Sequence, residues 1–462
     1  MLSILPIVLT LFLLMFFAYR GYSVLILAPI MAALAVILTG DWLHSLPAYT
    51  DVFMTALSNF LLKFFPVFLL GALFGKLMAD SGAATSIAHF VVNKLGGERA
   101  VLAVVLICAL LTYGGVSLFV VAFAIYPIAK NLFYQADIPK RLIPAAIALG
   151  SFTFTMTALP GSPAIQNAIP IPYYSTNVFA APILGLIGGA IMFVGGVCWL
   201  NRCVQRAKIC GEGYGKHSDD TLEQIKPTHN IPFIMAITPL VLVVLINALL
   251  IYFVFPRMDF SALDSTFPAL NIGSSLGLWS LIIAMLAACL SAMIIHLKSQ
   301  SNLKHTINQG ATDSMLPIFN TASEVGYGAV IASLAGFALI RDGVLNLSPS
   351  NPLISEAVAM TTLAGITGSS SGGLSIALST LGDEYLEMAL AAGISPELMH
   401  RVATMAAGGL DTLPHSGAVI TLLAICKLTH KTSYLNVAAV TIVIPLIATA
   451  TVIALGTMFG SF

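Results

Sequence analysis

The sequence predicts an all-α integral membrane protein, and two observations carry the prediction. Hydrophobic residues make up 58% of the 462 positions and charged residues only 9%, where a soluble domain carries roughly a quarter. The apolar residues also fall in long runs from end to end, each able to cross a hydrocarbon core of about 30 Å as a helix. Segments of about ten residues with alternating polarity, the mark of a membrane barrel, are absent. The formal net charge is zero, which leaves no basic footprint for nucleic acid. Six cysteines lack metal-ligand spacing; they read as small apolar groups, and neither metal nor cofactor is expected.

The first run, 2 to 18, has no basic n-region and no small-residue cleavage site, so it reads as a span rather than a removable signal. Spans at 23–40 and 53–79 follow. Basic residues stay on the cytoplasmic side, so Arg20 and Lys76 opposite Asp41 and Asp51 put the amino terminus outside. The stretch Val101 to Ile128 is interrupted by Thr112-Tyr113-Gly114-Gly115, with Lys94 and Arg99 before it and Lys130, Lys140 and Arg141 after it. A full crossing strands three of these outside. A re-entrant hairpin on the cytoplasmic face removes the conflict, and such a break is tolerated where it lines a protein cavity. Spans at 142–169 and 178–200 close a first repeat, 1–200. The polar segment 201–230, with Arg202, Arg206, Lys208, Lys216 and Lys226, is a cytoplasmic linker.

The second repeat, 231–462, runs the same scheme upside down. Spans at 231–255, 273–296 and 311–340 leave Asp259 and Asp264 outside and Lys298 and Lys304 inside. Ser355 to Ala392 is then broken at Thr367-Gly368-Ser369-Ser370-Ser371-Gly372-Gly373 and flanked by Asp342, Glu356, Asp383, Glu384, Glu387 and Glu397, so this hairpin opens from outside. Spans at 398–424 and 434–459 complete the chain, with Lys427 and Lys431 inside. The layout is about ten transmembrane helices, two re-entrant hairpins and two broken helices. Only Lys63, Arg257, Arg341 and Arg401 of the twenty Lys and Arg residues miss the cytoplasmic face.

Internal similarity supports an inverted-topology repeat. Gly114-Gly115-Val116-Ser117 matches Gly372-Gly373-Leu374-Ser375, and the segment from Ala158 to Ile165 matches that from Thr412 to Val419, both about 255 residues apart. Transporters built this way hold their substrate at the repeat interface near the midplane. Pro160, Pro163 and Pro414, beside Gly161 and Gly417, remove backbone donors and unwind the helices there. The helix ends so freed suit a carboxylate at their amino termini and a cation at exposed carbonyls. Thr112, Ser117, Thr157, Ser162, Thr367, Ser369, Ser370, Ser371, Thr412 and Ser416 add hydroxyls, and Gly114, Gly115, Gly161 and Gly372 allow close approach, so these residues form the candidate substrate site. Close helix packing alone also accounts for Gly and Ser.

Ionisable groups inside spans are functional candidates by default. Glu324 lies deep in its span, and Asp411 and His415 bracket the second break, making these three the candidate proton carriers. Lys63 is read either as a partner of Glu324 or as snorkelling to the outer interface. Arg401 is read as sitting at the outer end of its span.

At these residues the chain resembles the gluconate permease family of the ion transporter superfamily. The segments that carry the likeness run from Leu70 to Ala84, from Asn320 to Gly328, and over Gly408-Gly409-Leu410-Asp411-Thr412-Leu413-Pro414-His415-Ser416-Gly417. The likeness covers nearly the whole chain and is strongest to the hydroxybutyrate permease and citrate-transporter-like branch. It implies secondary transport of a hydroxy or sugar acid with protons, in a bacterial inner membrane, by a homodimer with a scaffold beside a moving transport subdomain. The Ser-Asn-Thr tips of sodium-using relatives are missing here, which speaks against sodium coupling.

The function expected is proton symport of a small organic anion such as 3-hydroxybutyrate or gluconate. The alternatives are a sodium-coupled carboxylate or citrate transporter and a cation/proton antiporter using Asp411 and Glu324. An enzyme is not expected: His-Glu-x-x-His does not occur, and the two Gly-x-Ser-x-Gly matches, Gly273–Gly277 and Gly368–Gly372, stand at the edge or break of apolar helical runs and not on the strand-to-helix turn that a nucleophile elbow needs.

Overall fold

A backbone in lipid must satisfy its own polar groups, and this one does so with helices. The computed structural model describes residues 3–40, 42–96, 99–215, 217, 231–267, 271–297 and 302–461. Within them the first part of the chain builds α1 (Leu5–Tyr19), α2 (Val24–Leu38), α3 (Trp42–Asp80) and α4 (Ala83–Leu95). Next come α5 (Ala100–Tyr113) and α6 (Leu118–Gln135), then four short helices, α7 (Ile143–Ser151), α8 (Phe154–Thr157), α9 (Ile165–Ala168) and α10 (Ile171–Tyr174), and finally α11 (Pro182–Ile209). The second part builds α12 (Phe233–Arg257), α13 (Ile272–His296), α14 (Leu303–Ser333) and α15 (Ala335–Leu345). It ends with α16 (Pro352–Thr367), α17 (Ser370–Ala391), α18 (Pro396–Ala407), α19 (Gly417–Ile425) and α20 (His430–Phe459).

Six of the described helices are long and apolar enough to cross a membrane, seven if α14 and α15 form one broken span; α1, α2, α5 and α16 are shorter apolar helices. The helical runs break at both expected places. α5 and α6 turn back at Gly114–Ser117, where Gly115 has a φ of 101° that favours glycine, and α16 and α17 turn back at Gly368, with a φ of 65°.

Equivalently placed helices run antiparallel. Along α3 and α14, Gly310 faces Leu73 while Gly326 faces Phe53; along α11 and α20, Gly188 faces Val452 and Gly195 faces Ile444. The small residues let these backbones approach closely. An exchange of ends accompanies this pairing: Gly336 of α15 packs on Ser3, and on α4 Phe90 stacks on Phe233, their centroids 3.8 Å apart.

Three sequence expectations need adjusting. The single span 311–340 is instead two helices bent by 98° at Leu334, whose extended backbone (ψ 140°) ends one and starts the next. The helix placed at 178–200 continues to Ile209, so Arg202, Arg206 and Lys208 lie on its last turns and not in a loop. Of the span 142–169, only short helical pieces form around the break. Asp41, Lys216, Lys226 and Lys298 lie outside the described residues.

Candidate functional site

The second hairpin tip is built by local chemistry. Gly368 takes the left-handed conformation that ends α16, and Ser369 caps α17, its Oγ accepting from Gly372 N at 3.0 Å. The second break, 408–416, lies against this tip: Ser416 Oγ donates to Gly368 O at 2.9 Å, and the His415 ring packs beside Gly368. Ser416 therefore leaves the first amides of α19 without a side-chain cap. The amino ends of α17 and α19, both sites of partial positive charge, meet here.

α14 closes the tip from another side. Its Thr321 hydroxyl is 3.5 Å from Ser371 Oγ, and the Glu324 carboxylate occupies the space that a Cβ at Gly372 would need. α9 reaches across from the first part of the chain, where Gln166 Nε2 donates to Ser370 Oγ at 2.9 Å. The Asp411 side chain lies against the same Ser370 hydroxyl. Several side-chain atoms at this junction have no hydrogen-bond partner: Gln166 Oε1, Asn320 Oδ1, Glu324 Oε2, Asp411 Oδ1 and His415 Nε2. Unspent hydrogen-bonding capacity in so apolar a setting is costly unless a ligand, water or proton meets it.

The structure thus brings Thr367, Ser369, Ser370, Ser371, Gly372, Ser416, Glu324, Asp411 and His415 together. Thr112, Gly114, Gly115, Ser117, Thr157, Gly161 and Ser162 form a second group, where the first tip meets the first break. There Tyr113 OH donates to Pro160 O at 2.8 Å, and Pro163 packs on Gly115. Thr157 turns its hydroxyl to Thr153 O at 3.2 Å and Ser162 Oγ accepts from Ala164 N at 3.3 Å, so both serve their own backbone. Thr412 faces away, bonded to Thr441 at 2.7 Å. Lys63 does not pair with Glu324; it is exposed, its Nζ 5.4 Å from the Tyr173 ring centroid.

Arg401 is wholly buried rather than at an outer end. Its guanidinium donates to the carbonyls of Ala180, Thr157 and Val178 and to Asn167 Oδ1. A guanidinium has five N–H donors, and these contacts engage all of them, so Arg401 staples the first break shut and has none left for a substrate. Sequence reasoning missed this role and that of Gln166. The signal for Gln166 was there: two adjacent amides, Gln166-Asn167, directly after a break in an apolar span.

A helical, many-span chain with buried polar atoms at broken helices fits a transporter, and relatives decide the family. Residues 1–333 match the model of the GntP family permeases. The chain belongs to the GntP permease family. An uncharacterized transporter of Bacillus subtilis, YxjC, is 46% identical over 451 residues, 95% of each chain. An uncharacterized transporter of Haemophilus influenzae is 35% identical over 123 residues, covering 26% of this chain and 29% of that protein. Two solved transporters share the fold at low identity. The YdaH transporter of Alcanivorax borkumensis, described as having an unusual topology, aligns with a TM-score of 0.54 at 16% identity, over 90% of this chain and 89% of its own. MtrF of Neisseria gonorrhoeae, from a class of antimetabolite efflux pumps, aligns at 0.58 and 13%, over 92% and 86%. This GntP permease is a multi-pass membrane transporter, and nothing in its family or relatives' names points to an enzyme.

Proposed function

We propose that this permease carries a small hydroxy or sugar monocarboxylate into a bacterial cell together with a proton, and that the anion binds where the second hairpin tip meets the second break. The observation that carries the reading is the convergence of two helix amino ends and the Ser369–Ser371 hydroxyls on the buried Glu324 and the half-buried Asp411. Helix amino ends and hydroxyls attract a carboxylate. Two carboxylates beside the same tip repel it. Protonating Glu324 or Asp411 removes the repulsion, so proton and anion load together, which is the requirement for symport. The antiparallel pairing of α3 with α14 and of α11 with α20 supports an inverted repeat, with residues 1–200 and 231–462 as its halves and alternating access around the tip.

The test is uptake of labelled 3-hydroxybutyrate, gluconate and citrate into proteoliposomes under an imposed proton or sodium gradient. Concentrative uptake of a monocarboxylate driven by protons alone is expected. Uptake driven only by sodium moves the coupling to a cation held by carbonyls and hydroxyls. Proton-driven flux of a metal cation with no organic substrate sinks the reading in favour of an antiporter.

A further inference from the structure

A second buried carboxylate lies away from the tip. Glu356, on the first turns of α16, is fully buried, and Tyr174 OH at the end of α10 donates to its Oε1. Its other oxygen, Oε2, has no partner, and neither does the buried hydroxyl of Tyr385 on α17, beside Ser355. None of the described ion pairs reaches Glu356. α18 packs against α16 and brings His400 and Arg401 into this interior, but His400 bonds Thr176 and Asn167 and Arg401 is spent on the first break. α1, which also touches α16, carries no ionisable side chain between Leu5 and Ala18, and α15, which touches it too, carries the half-buried Arg341 and the exposed Asp342, paired with each other at 3.2 Å.

One layer away is a cavity of about 410 Å³ lined by Tyr173, Ser379, Thr380, Asp383, Glu384 and Glu387. Tyr173 adjoins Tyr174, and Glu384 adjoins Tyr385, so the cavity wall and the Glu356 cluster share the same two backbone segments. At 1.5 Å per residue along α17, the cavity sits roughly 12 to 25 Å from the tip at Ser370. Three carboxylates around this open cavity, Asp383 and Glu387 exposed and Glu384 half-buried, outweigh the one cation beside it, Lys63 over the Tyr173 ring, and raise the local concentration of cations, protons included.

We propose that Glu356, held by Tyr174 and Tyr385, is a second proton-binding site on the transport path, filled from the acidic cavity at the base of the second hairpin. When the hairpin moves and opens the layer between them, hydronium from the cavity gives its proton to Glu356 Oε2, leaving water and the neutral acid, and the proton is released again after the carrier has turned over. The inference rests on the proton-coupled reading above and adds where the proton enters.

Infrared difference spectra of the reconstituted protein on substrate addition test it, recorded for wild type, Glu356→Gln, Glu324→Gln and Tyr174→Phe. The expected result is a substrate-induced change in a carboxylic-acid C=O band that is lost in Glu356→Gln and shifted in Tyr174→Phe, with Glu324→Gln separating any part of the band that belongs to the tip. In transport, Glu356→Gln is expected to lose accumulation above equilibrium under a proton gradient. A band unaffected by Glu356→Gln, or a variant that concentrates substrate as the wild type does, overturns the proposal. Tyr174→Phe keeps Glu356 and removes one hydroxyl; if Glu356→Gln fails to fold, an unshifted band in Tyr174→Phe overturns the proposal and a shifted one supports it. Failure of the earlier reading is distinct: wild type then shows no proton-driven uptake at all.

Discussion

Arg401 shows how one side chain can hold a broken helix in place. Its carbonyl partners lie at Thr157, Val178 and Ala180, on both sides of the first break. Arg401→Lys supplies three donors in place of five, leaving buried acceptors unmet at about 1–3 kcal/mol each, so a clearly lower melting temperature is expected in detergent, with the Thr404→Ala variant affected less. At the candidate site, Gln166→Ala removes the bond to Ser370 and frees that hydroxyl. A loss of about 0.5–1.5 kcal/mol should raise the apparent Km for substrate roughly two- to tenfold while melting stays near wild type; an unchanged Km places Gln166 outside the site. The tip serines were legible in the sequence because hydroxyls cluster visibly at a break. For Gln166 the adjacent amides marked a polar spot but not its partner, 204 residues away, and Arg401 carried no local mark at all, its partners standing more than 220 residues away.

Among the elements, the hairpins and breaks were legible from Gly, Pro and the basic or acidic residues around them. The bend at Leu334 was not, since neither Gly nor Pro stands there and the apolar pattern runs on through it. Hairpin orientation is open to direct test: cysteines replacing Lys94 and Gln135 should label from the cytoplasmic side and one replacing Glu387 only from outside. Labelling of Gln135→Cys from outside means that the first break crosses the membrane. Beyond the spans, Arg141 holds Glu212 through two hydrogen bonds at 2.7 and 2.8 Å, tying the start of the first broken helix to the end of α11. Those bonds lower the Glu212 pKa below the usual carboxylate range. The tie's stabilisation is therefore present above that range and lost as the pH falls through the depressed value. Wild type should melt slightly above Glu212→Gln at neutral pH, with the difference closing in acid; a gap that persists in acid points to another cause.

At the scale of the whole molecule, the two parts of the chain meet in antiparallel pairs and exchange their ends, and the polar junction draws on both, through Gln166 from the first and α14, α17 and α19 from the second. Such a junction can change its exposure when one body rocks against the other, which is what alternating access needs. The central claim is that proton and anion share this junction, so separating net transport from exchange tests it most directly. In proteoliposomes, Asp411→Asn, His415→Gln and Glu324→Gln are each compared for accumulation under a pH gradient and for exchange of labelled against unlabelled substrate, which needs no net proton return. The account predicts that at least one variant loses accumulation and keeps exchange. It is contradicted if all three still concentrate substrate as the wild type does, or if accumulation and exchange always fall together with stability.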